Sequence, residues 1–389
     1  MFHSRNPIYR NPTGAVQAHT NIHFKLLVPR EFRCSAARLM VGEEFTKQVK
    51  TLGLFWCGMN GEDHEWWECD FTPEQSGLYF YRFEIDTWRG TLGITSRFGG
   101  ESGIDEFGAP EGECWQLTVF ESQYQIADWL SGGIMYQIFP DRFYRSGTTK
   151  YNVPQDRYLH QRWGSQPEWR PNHQGEITNS DYFGGDLEGI IQKLDYLQSL
   201  GITCIYLNPI FEAHSNHRYD TADYTKVDPL LGSKEDFKRL CKEANKRGIH
   251  IMLDGVFNHT GSDSIYFNRK GRYQTLGAYQ SQESPYYDWY QFYQWPEQYA
   301  CWWNFETLPN VNEANETYNA YINGTDGVIQ TWLKAGADGW RLDVADELPD
   351  LFLDDITKAA KQVKPTSMIL GEVWEDASNK MAYGQRRRY

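Results

Sequence analysis

Four polar or charged residues each come directly after a short apolar run, namely Asn208, Asp254, Asp343 and Glu372. If these runs are parallel strands of one sheet, their carboxyl ends meet at the same edge and the four side chains converge there. A single carboxylate at a strand end is as often structural as functional. Four successive strands that all end in polar residues favour a shared site.

Two convergent carboxylates on neighbouring strands are typical of glycoside hydrolysis. One attacks the anomeric carbon, and the other protonates the leaving oxygen and then activates water. Arg341 lies two residues before Asp343, so both side chains share one face of a strand. We expect this guanidinium to hold Asp343 ionised as a nucleophile. Glu372 must carry a proton as general acid, which predicts a pocket with fewer cations around it. Double displacement also requires the carboxyl groups of Asp343 and Glu372 to lie roughly 5 Å apart.

The segments that position these residues alternate between apolar runs and amphipathic helices, which predicts an α/β fold with a parallel sheet. The predicted strands are Ile134–Phe139, Ile202–Leu207, Ile249–Leu253, Gly339–Leu342 and Met368–Gly371. The predicted helices run from Asp186 to about Leu200, from Ser233 to Gly248, from Thr325 to Gly336 and near Leu351–Val363. A closed eight-stranded barrel needs about 250 residues. Five strands therefore indicate either an open sheet or a truncated barrel.

Residues 1–124 predict a separate domain, an N-terminal β-sandwich, because short strands alternate with turns rich in Gly, Pro and Asp. The predicted strands are His23–Leu27, Leu52–Cys57, Leu78–Ile85 and Cys114–Phe120. Six aromatic residues are candidates for either a glycan-binding face or the core: Trp56, Trp66, Trp67, Tyr79, Tyr81 and Trp88.

Composition narrows the class of partner. The net charge of -14 argues against nucleic acid or an anionic membrane surface. Aromatic residues make up 16% of the chain, which suits a carbohydrate binder or a large aromatic core.

Seven dispersed cysteines without a C-x-x-C pair predict free thiols in a reducing compartment. Without a signal-peptide pattern or an apolar run of roughly 20 residues, we expect a cytoplasmic protein.

Several sequence motifs resemble one known family. DGVFNH (254–259), GWRLDVA (339–345) and GEVW (371–374) resemble, in order and spacing, conserved regions of the α-amylase superfamily, glycoside hydrolase family 13. MYQIFPDRF (135–143), YFGGDLEGI (182–190) and NHRYDTADY (216–224) are similar to its neopullulanase and cyclomaltodextrinase branch. The resemblance implies Asp343 as the nucleophile, Arg341 as its orienting partner and Glu372 as the acid/base.

The same resemblance implies a set of substrate-binding residues. His259 and His217 would bind hydroxyls of the sugar being cleaved, and Tyr219 would stack beneath that sugar. Asp254 would be a structural carboxylate of the site. Trp374 would line the next subsite, with core packing as the alternative role.

The family pattern also implies a domain organisation. Residues 1–124 would be a candidate starch-binding domain, and residues 125–389 a partial (β/α)8 TIM barrel with residues 260–312 as a small inserted domain B. Nothing in the sequence matches the family's third catalytic carboxylate. The resemblance therefore implies a fragment of a longer gene product, itself with little or no activity.

No metal site is predicted. Calcium is the only cofactor that the resemblance raises, with Asn258 and Asp186 as candidate ligands. The loop after the first predicted barrel strand, RSGTTKYNVPQDR, contains few carboxylates, whereas a hard cation needs several oxygens together.

The expected function is hydrolysis of α-1,4-glucosidic bonds in maltodextrin, cyclodextrin or pullulan, with a covalent glucosyl-enzyme intermediate. The alternatives are transglycosylation or disaccharide isomerisation at the same site, or a glucan-binding homologue without catalysis. The expected partner is an α-glucan. A homodimer of the full-length enzyme is left open.

Overall fold

The computed structural model describes residues 1–44, 46–105, 113–377, 380–382 and 385–387. Two compact units make up the chain, and their bodies are Met1–Tyr124 and Gln125–Ala377. Within the described part, no helix has the length and apolar character that a bilayer crossing requires. All seven cysteines are free thiols, as their dispersed spacing predicted.

The described residues of the N-terminal unit form ten strands in a single sheet. In chain order they are β1 (Arg10–Asn11), β2 (Val16–Gln17), β3 (Ile22–Pro29), β4 (Ala36–Glu43), β5 (Val49–Asn60), β6 (His64–Phe71), β7 (Gly77–Thr87), β8 (Gly90–Ser96), β9 (Ser102–Asp105) and β10 (Trp115–Phe120).

This sheet curls so that its two halves enclose one core. The long strand β5 pairs with β6 through its second half and with β4 through its first half, which joins the halves. Strands β3 and β7 are separated by three strands in the sheet order, yet Phe24 packs against Tyr81 at a ring-centroid distance of 5.1 Å. The predicted β-sandwich is confirmed as this curled antiparallel sheet. Strands β1, β2, β4, β6, β8 and β9 were not among the predicted strands.

The second unit contains thirteen strands among the described residues. They are β11 (Met135–Ile138), β12 (Tyr158–Leu159), β13 (Asp181–Tyr182), β14 (Cys204–Leu207), β15 (Phe211–Ala213), β16 (Thr221–Val227), β17 (His250–Gly255), β18 (Phe292–Gln294), β19 (Gln298–Tyr299), β20 (Gly339–Leu342), β21 (Met368–Gly371), β22 (Met381–Ala382) and β23 (Gln385–Arg386).

Five of these strands form the parallel sheet that the sequence predicts, in the order β11-β14-β17-β20-β21. Chain order and sheet order agree, as in a barrel built from successive strand–helix units. The central strands β14 and β20 are buried along their whole length, whereas the edge strands β11 and β21 are partly exposed. The structure confirms a partial α/β barrel.

The two faces of this sheet have different partners. Side chains such as Ile205, Leu253 and Trp340 pack into the main core with the helices. The alternate residues Cys204, Tyr206 and Met252 pack in a smaller cluster on the opposite face. Since side chains alternate along a strand, Asp254, Arg341 and Glu372 belong to this second face.

In the part of this unit that the structure describes, six α-helices accompany the sheet: α1 (Leu187–Gln192), α2 (Leu194–Ser199), α3 (Lys234–Asn245), α4 (Glu316–Asn323), α5 (Val328–Ala335) and α6 (Asp350–Val363). The predicted capping pair of α3 is present, with the Ser233 side chain accepting from the Asp236 N–H and the reciprocal bond also made. The single helix predicted from Asp186 is instead two short helices that break at Lys193, where ψ is 3°. Helix α4 was not predicted, because only Tyr318 and Ile322 of its residues are buried.

The predicted insertion 260–312 is an irregular part of the second unit with the short hairpin β18–β19. Its aromatic residues divide between two roles. Trp289, Tyr290 and Tyr299 are buried in the main core. Trp303 and Phe305 are exposed.

Candidate active site

Strand register brings the predicted residues together. Asp254 lies opposite Arg341 in the β17–β20 pair, and Leu342 lies opposite Gly371 in the β20–β21 pair. Asp343 and Glu372 therefore follow neighbouring parallel strands at the same level. Both side chains line one cavity of about 930 Å³ in the second unit, at the upper end of the roughly 300–1,000 Å³ common for ligand sites.

Arg341 contacts all three carboxylates of the site. Its Nη1 donates to Asp254 Oδ1 and to Asp343 Oδ1, each at 2.8 Å. Its Nη2 lies 2.7 Å from Glu372 Oε1. One guanidinium therefore faces three acidic groups, of which Asp254 and Asp343 are buried.

Asp254 lies behind the cavity and is held firmly. Its Oδ2 accepts hydrogen bonds from Tyr206 Oη at 2.5 Å and from Tyr219 Oη at 3.0 Å. Its side chain has no exposed surface. Burial raises the pKa of Asp254, and Arg341 counters this effect. These contacts suit a carboxylate that fixes Arg341 and Tyr219, rather than one that reaches a ligand.

Asp343 differs from the expectation that Arg341 would hold it ionised. Burial, followed by the negative charge of Asp254, raises the pKa of Asp343 to about 7, although Arg341 acts in the opposite direction. The reason is desolvation, because the Asp343 side chain is only 11% exposed. The Arg neighbour of Asp343 and the convergence with Asp254 were visible in the sequence, but the burial of Asp343 was not.

Glu372 also differs from expectation, since its environment is not poor in cations. Besides its ion pair with Arg341, its Oε2 accepts a hydrogen bond from the Val344 N–H at 3.1 Å. Val344 has φ 41° and ψ 49°, a left-handed conformation that is unfavourable for a β-branched residue. The strained residue directs its amide at Glu372, and this feature was not predicted from the sequence.

The four residues predicted to contact the sugar all line the same cavity: His217, Tyr219, His259 and Trp374. His259 is buried, and its Nε2 has no hydrogen-bond partner among the described residues. Burial lowers the pKa of His259 to about 3, so the imidazole stays neutral and can bind a hydroxyl. Burial likewise lowers the pKa of His217.

The aromatic part of the lining includes Trp302, from the insertion, beside Trp374. The Trp302 ring stacks on His259 at 5.6 Å, and its Nε1 donates to Glu347 Oε1. Trp374 is 65% exposed and meets Trp303 edge to face at 5.5 Å. The predicted alternative of core packing for Trp374 is therefore wrong. Tyr206 was also missed, because a hydroxyl in an apolar strand gives no sign of its partner.

The candidate calcium ligands do not fit a hard cation. Asp186 Oδ1 accepts from the Gly189 N–H at 2.6 Å, and its Oδ2 accepts from Ser146 Oγ at 2.6 Å. Lys150 Nζ lies 2.5 Å from the same Oδ2. An ammonium group thus occupies the coordination side of the carboxylate. Asn258 Nδ2 lies beside His259 Nδ1 instead. No grouping of three or more potential ligands from His, Cys, Asp and Glu occurs in the described ranges.

Comparison with known proteins finds a matching family model and several similar proteins. The alpha-amylase catalytic domain family matches residues 137–389. The chain is 37% identical over 410 residues to the amylopullulanase of Thermoanaerobacterium saccharolyticum, which covers 96% of this chain and 32% of the relative. It is 40% identical over 264 residues to the cyclomaltodextrinase of Geobacillus thermopakistaniensis, which covers 65% of this chain and 40% of the relative.

A solved structure shares the fold of part of this chain. It is the cyclic α-maltosyl-(1→6)-maltose hydrolase from Arthrobacter globiformis in complex with cyclic α-maltosyl-(1→6)-maltose, with a TM-score of 0.55 and 33% identity. The match covers 64% of this chain and 52% of that chain. This chain therefore spans about a third of the amylopullulanase and about half of the solved hydrolase.

Proposed function

Because this chain belongs to the alpha-amylase family of glycoside hydrolases, we propose that it carries the nucleophile and the acid/base of a retaining enzyme that cleaves α-1,4-glucosidic bonds. The supporting observation is the single guanidinium of Arg341 that contacts Asp254, Asp343 and Glu372 at 2.7–2.8 Å. The substrate class is maltodextrin, cyclodextrin or pullulan.

In this mechanism Asp343 attacks the anomeric carbon and forms a covalent glucosyl ester. Glu372 gives its proton to the leaving glycosidic oxygen, and then removes a proton from the water that hydrolyses the ester. The ion pair with Arg341 favours the ionised form of Asp343 against the effect of burial. When Glu372 loses its proton, Arg341 Nη2 and the Val344 amide stabilise the carboxylate that results.

The residues that line the cavity suit the binding of several sugar units. Neutral His259 offers its free Nε2 to a hydroxyl, and Tyr219 presents a ring whose hydroxyl is fixed by Asp254. Trp302 and Trp374 give the flat apolar surfaces on which sugar faces pack. We assign His217, His259 and Tyr219 to the glucose unit that is cleaved, and Trp374 to the adjoining unit.

The test distinguishes the roles of Asp343 and Glu372 by comparing each substitution on two substrates whose leaving groups differ in their need for a proton. Asp343→Asn and Glu372→Gln are assayed with maltooligosaccharides and with a 4-nitrophenyl maltooligoside, in this chain and in the longest polypeptide that contains it. Asp343→Asn should abolish turnover of both substrates. Glu372→Gln should slow maltooligosaccharide cleavage by roughly 10²–10⁴-fold. With the nitrophenyl substrate it should spare the first step, whose leaving group needs no proton, and slow the hydrolysis of the ester, so that a burst of nitrophenol precedes slow turnover.

Surface variants of the same chemistry provide the controls. Asp326→Asn and Glu306→Gln change carboxylates that are 74% and 65% exposed, and both should keep full activity. Undiminished turnover in Asp343→Asn or Glu372→Gln would refute the assignment. Products longer than the substrate would instead identify a transglycosylase, which uses the same intermediate.

We also propose that the N-terminal unit binds α-glucan, with Trp56 and Trp88 as the contact residues. Their side chains are 54% and 59% exposed, whereas Tyr81 is fully buried in the core and is excluded from such a face. Arg89 lies 4.4 Å from the Trp88 ring and holds it in place. Trp56→Ala and Trp88→Ala should weaken retention on insoluble starch, and unchanged retention of both variants would contradict the proposal.

A further inference from the structure

The cavity extends beyond the catalytic residues to a second polar cluster, which comprises Asp156, Asp263 and Arg272 and is called here the Arg272 cluster. All three residues line the cavity. Arg272 Nη2 lies 2.6 Å from Asp156 Oδ2, and Arg272 Nε pairs with Asp263 Oδ2. The mechanism proposed above uses none of them.

The cluster joins two separate parts of the second unit. Asp156 comes from the loop after β11, whereas Asp263 and Arg272 both belong to the insertion after β17. Asp263 is 7% exposed and anchors the arginine from below, while Arg272 keeps 32% and Asp156 keeps 49% of their side-chain surface exposed. A guanidinium fixed by two carboxylates is a preorganised donor, and the carboxylate beside it is an acceptor. This combination suits neighbouring hydroxyl groups of a sugar.

The cluster lies beside the segment that carries His217 and Tyr219. Its neighbour is His214, whose Nε2 is 3.0 Å from the hydroxyl of Tyr273, the residue after Arg272. Burial lowers the pKa of His214; the charge of Asp263 acts to raise this pKa, and that of Arg272 acts to lower it. His214 precedes the His217–Tyr219 segment, and all of these named residues except Tyr273 line the same cavity.

We propose that the Arg272 cluster is a glucan subsite that binds hydroxyls of a glucose unit beyond the unit held at Asp343. This inference rests on the proposed function and adds a determinant of chain length to it. Short glucans that fill only the catalytic end would not reach the cluster. Longer glucans would gain affinity from it.

The test measures how binding depends on glucan length. Maltose, maltotriose and maltohexaose are titrated calorimetrically into the wild-type chain and into Arg272→Met. We expect the affinity for maltohexaose to fall about tenfold, as for loss of a charged hydrogen bond, with the affinity for maltose nearly unchanged. Asp156→Asn, which keeps the fold contact but weakens the hold on the arginine, should give a smaller effect in the same direction.

Arg269 provides a matched control in the same insertion. It pairs with Glu306 at 3.0 Å and is 30% exposed, but it does not line the cavity. Arg269→Met should leave the length dependence unchanged, while its loss of thermal stability should resemble that of Arg272→Met. Equal weakening of short and long glucans in Arg272→Met, or no weakening beyond that of Arg269→Met, would overturn the subsite. If the wild-type chain binds no α-glucan of any length, the proposed function fails, and the subsite fails with it.

Discussion

Replacing Asp343 by Asn should stabilise the fold at neutral pH while it removes the nucleophile. Burial and Asp254 raise the pKa of Asp343 to about 7, from an ordinary value of 3.8. The folded chain therefore holds this proton more tightly than the unfolded chain does. The stability that comes from the protonated group is present at low pH and is lost as the pH rises toward 7.

The size of the effect follows from the two pKa values. Each pKa unit corresponds to about 1.4 kcal/mol, and linkage between pH 5 and pH 8 gives a loss of about 2–3 kcal/mol from this one group. Solvent screening reduces this little, because the side chain is 11% exposed. For a unit of this size the loss corresponds to roughly 5–10 °C in Tm. Asn has nearly the same shape but does not ionise, so Asp343→Asn should not show this loss.

The measurement is calorimetric unfolding of wild type and Asp343→Asn at pH 5, 6, 7 and 8 at constant ionic strength. The free energy of unfolding of the variant should exceed that of wild type by an amount that grows across this range. Asp326→Asn is the matched control, since its carboxylate is 74% exposed and pairs with Lys334 at the surface. Its difference from wild type should stay within about 0.5 kcal/mol at every pH. Parallel pH profiles for wild type and Asp343→Asn would refute the inference that Asp343 is a destabilised carboxyl group.

Two further predictions concern the elements that support the site. Lys150→Met should lower the free energy of unfolding by about 3 kcal/mol, because it leaves the buried Asp186 without its cation. EDTA should leave the wild-type Tm unchanged. A large effect of EDTA on the wild-type Tm would show that a metal ion, rather than the Lys150 ammonium, neutralises Asp186. Lys334→Met, at an exposed pair, is its control. Gly339→Ala would place a Cβ 2.3 Å from the Met368 carbonyl oxygen and push β20 away from β21. It should therefore lower the free energy of unfolding by about 2–3 kcal/mol. Gly164 has open space around it, so Gly164→Ala should leave the free energy of unfolding unchanged in the same assay.

Much of the architecture was determined by the sequence alone. Alternation of apolar runs and amphipathic helices is a local property, and it located all five strands of the parallel sheet, two of them, β20 and β21, with the observed bounds. The two-residue spacing of Arg341 and Asp343 was enough to predict a shared face, and their hydrogen bond is present. Strand-end polarity likewise predicted that Asp343 and Glu372 would line a common cavity.

Only the tertiary structure determined the electrostatics of the site and the ion-pair partners of individual side chains. The pKa of Asp343 depends on burial and on Asp254, which lies 89 positions earlier in the sequence. Some ion pairs join different loops, and no local sequence pattern specifies them. Lys150 pairs with Asp186, and Arg272 pairs with Asp156 and Asp263. Periodicity reports which face a residue occupies. Desolvation and ion pairing depend on everything else that the fold brings to that face.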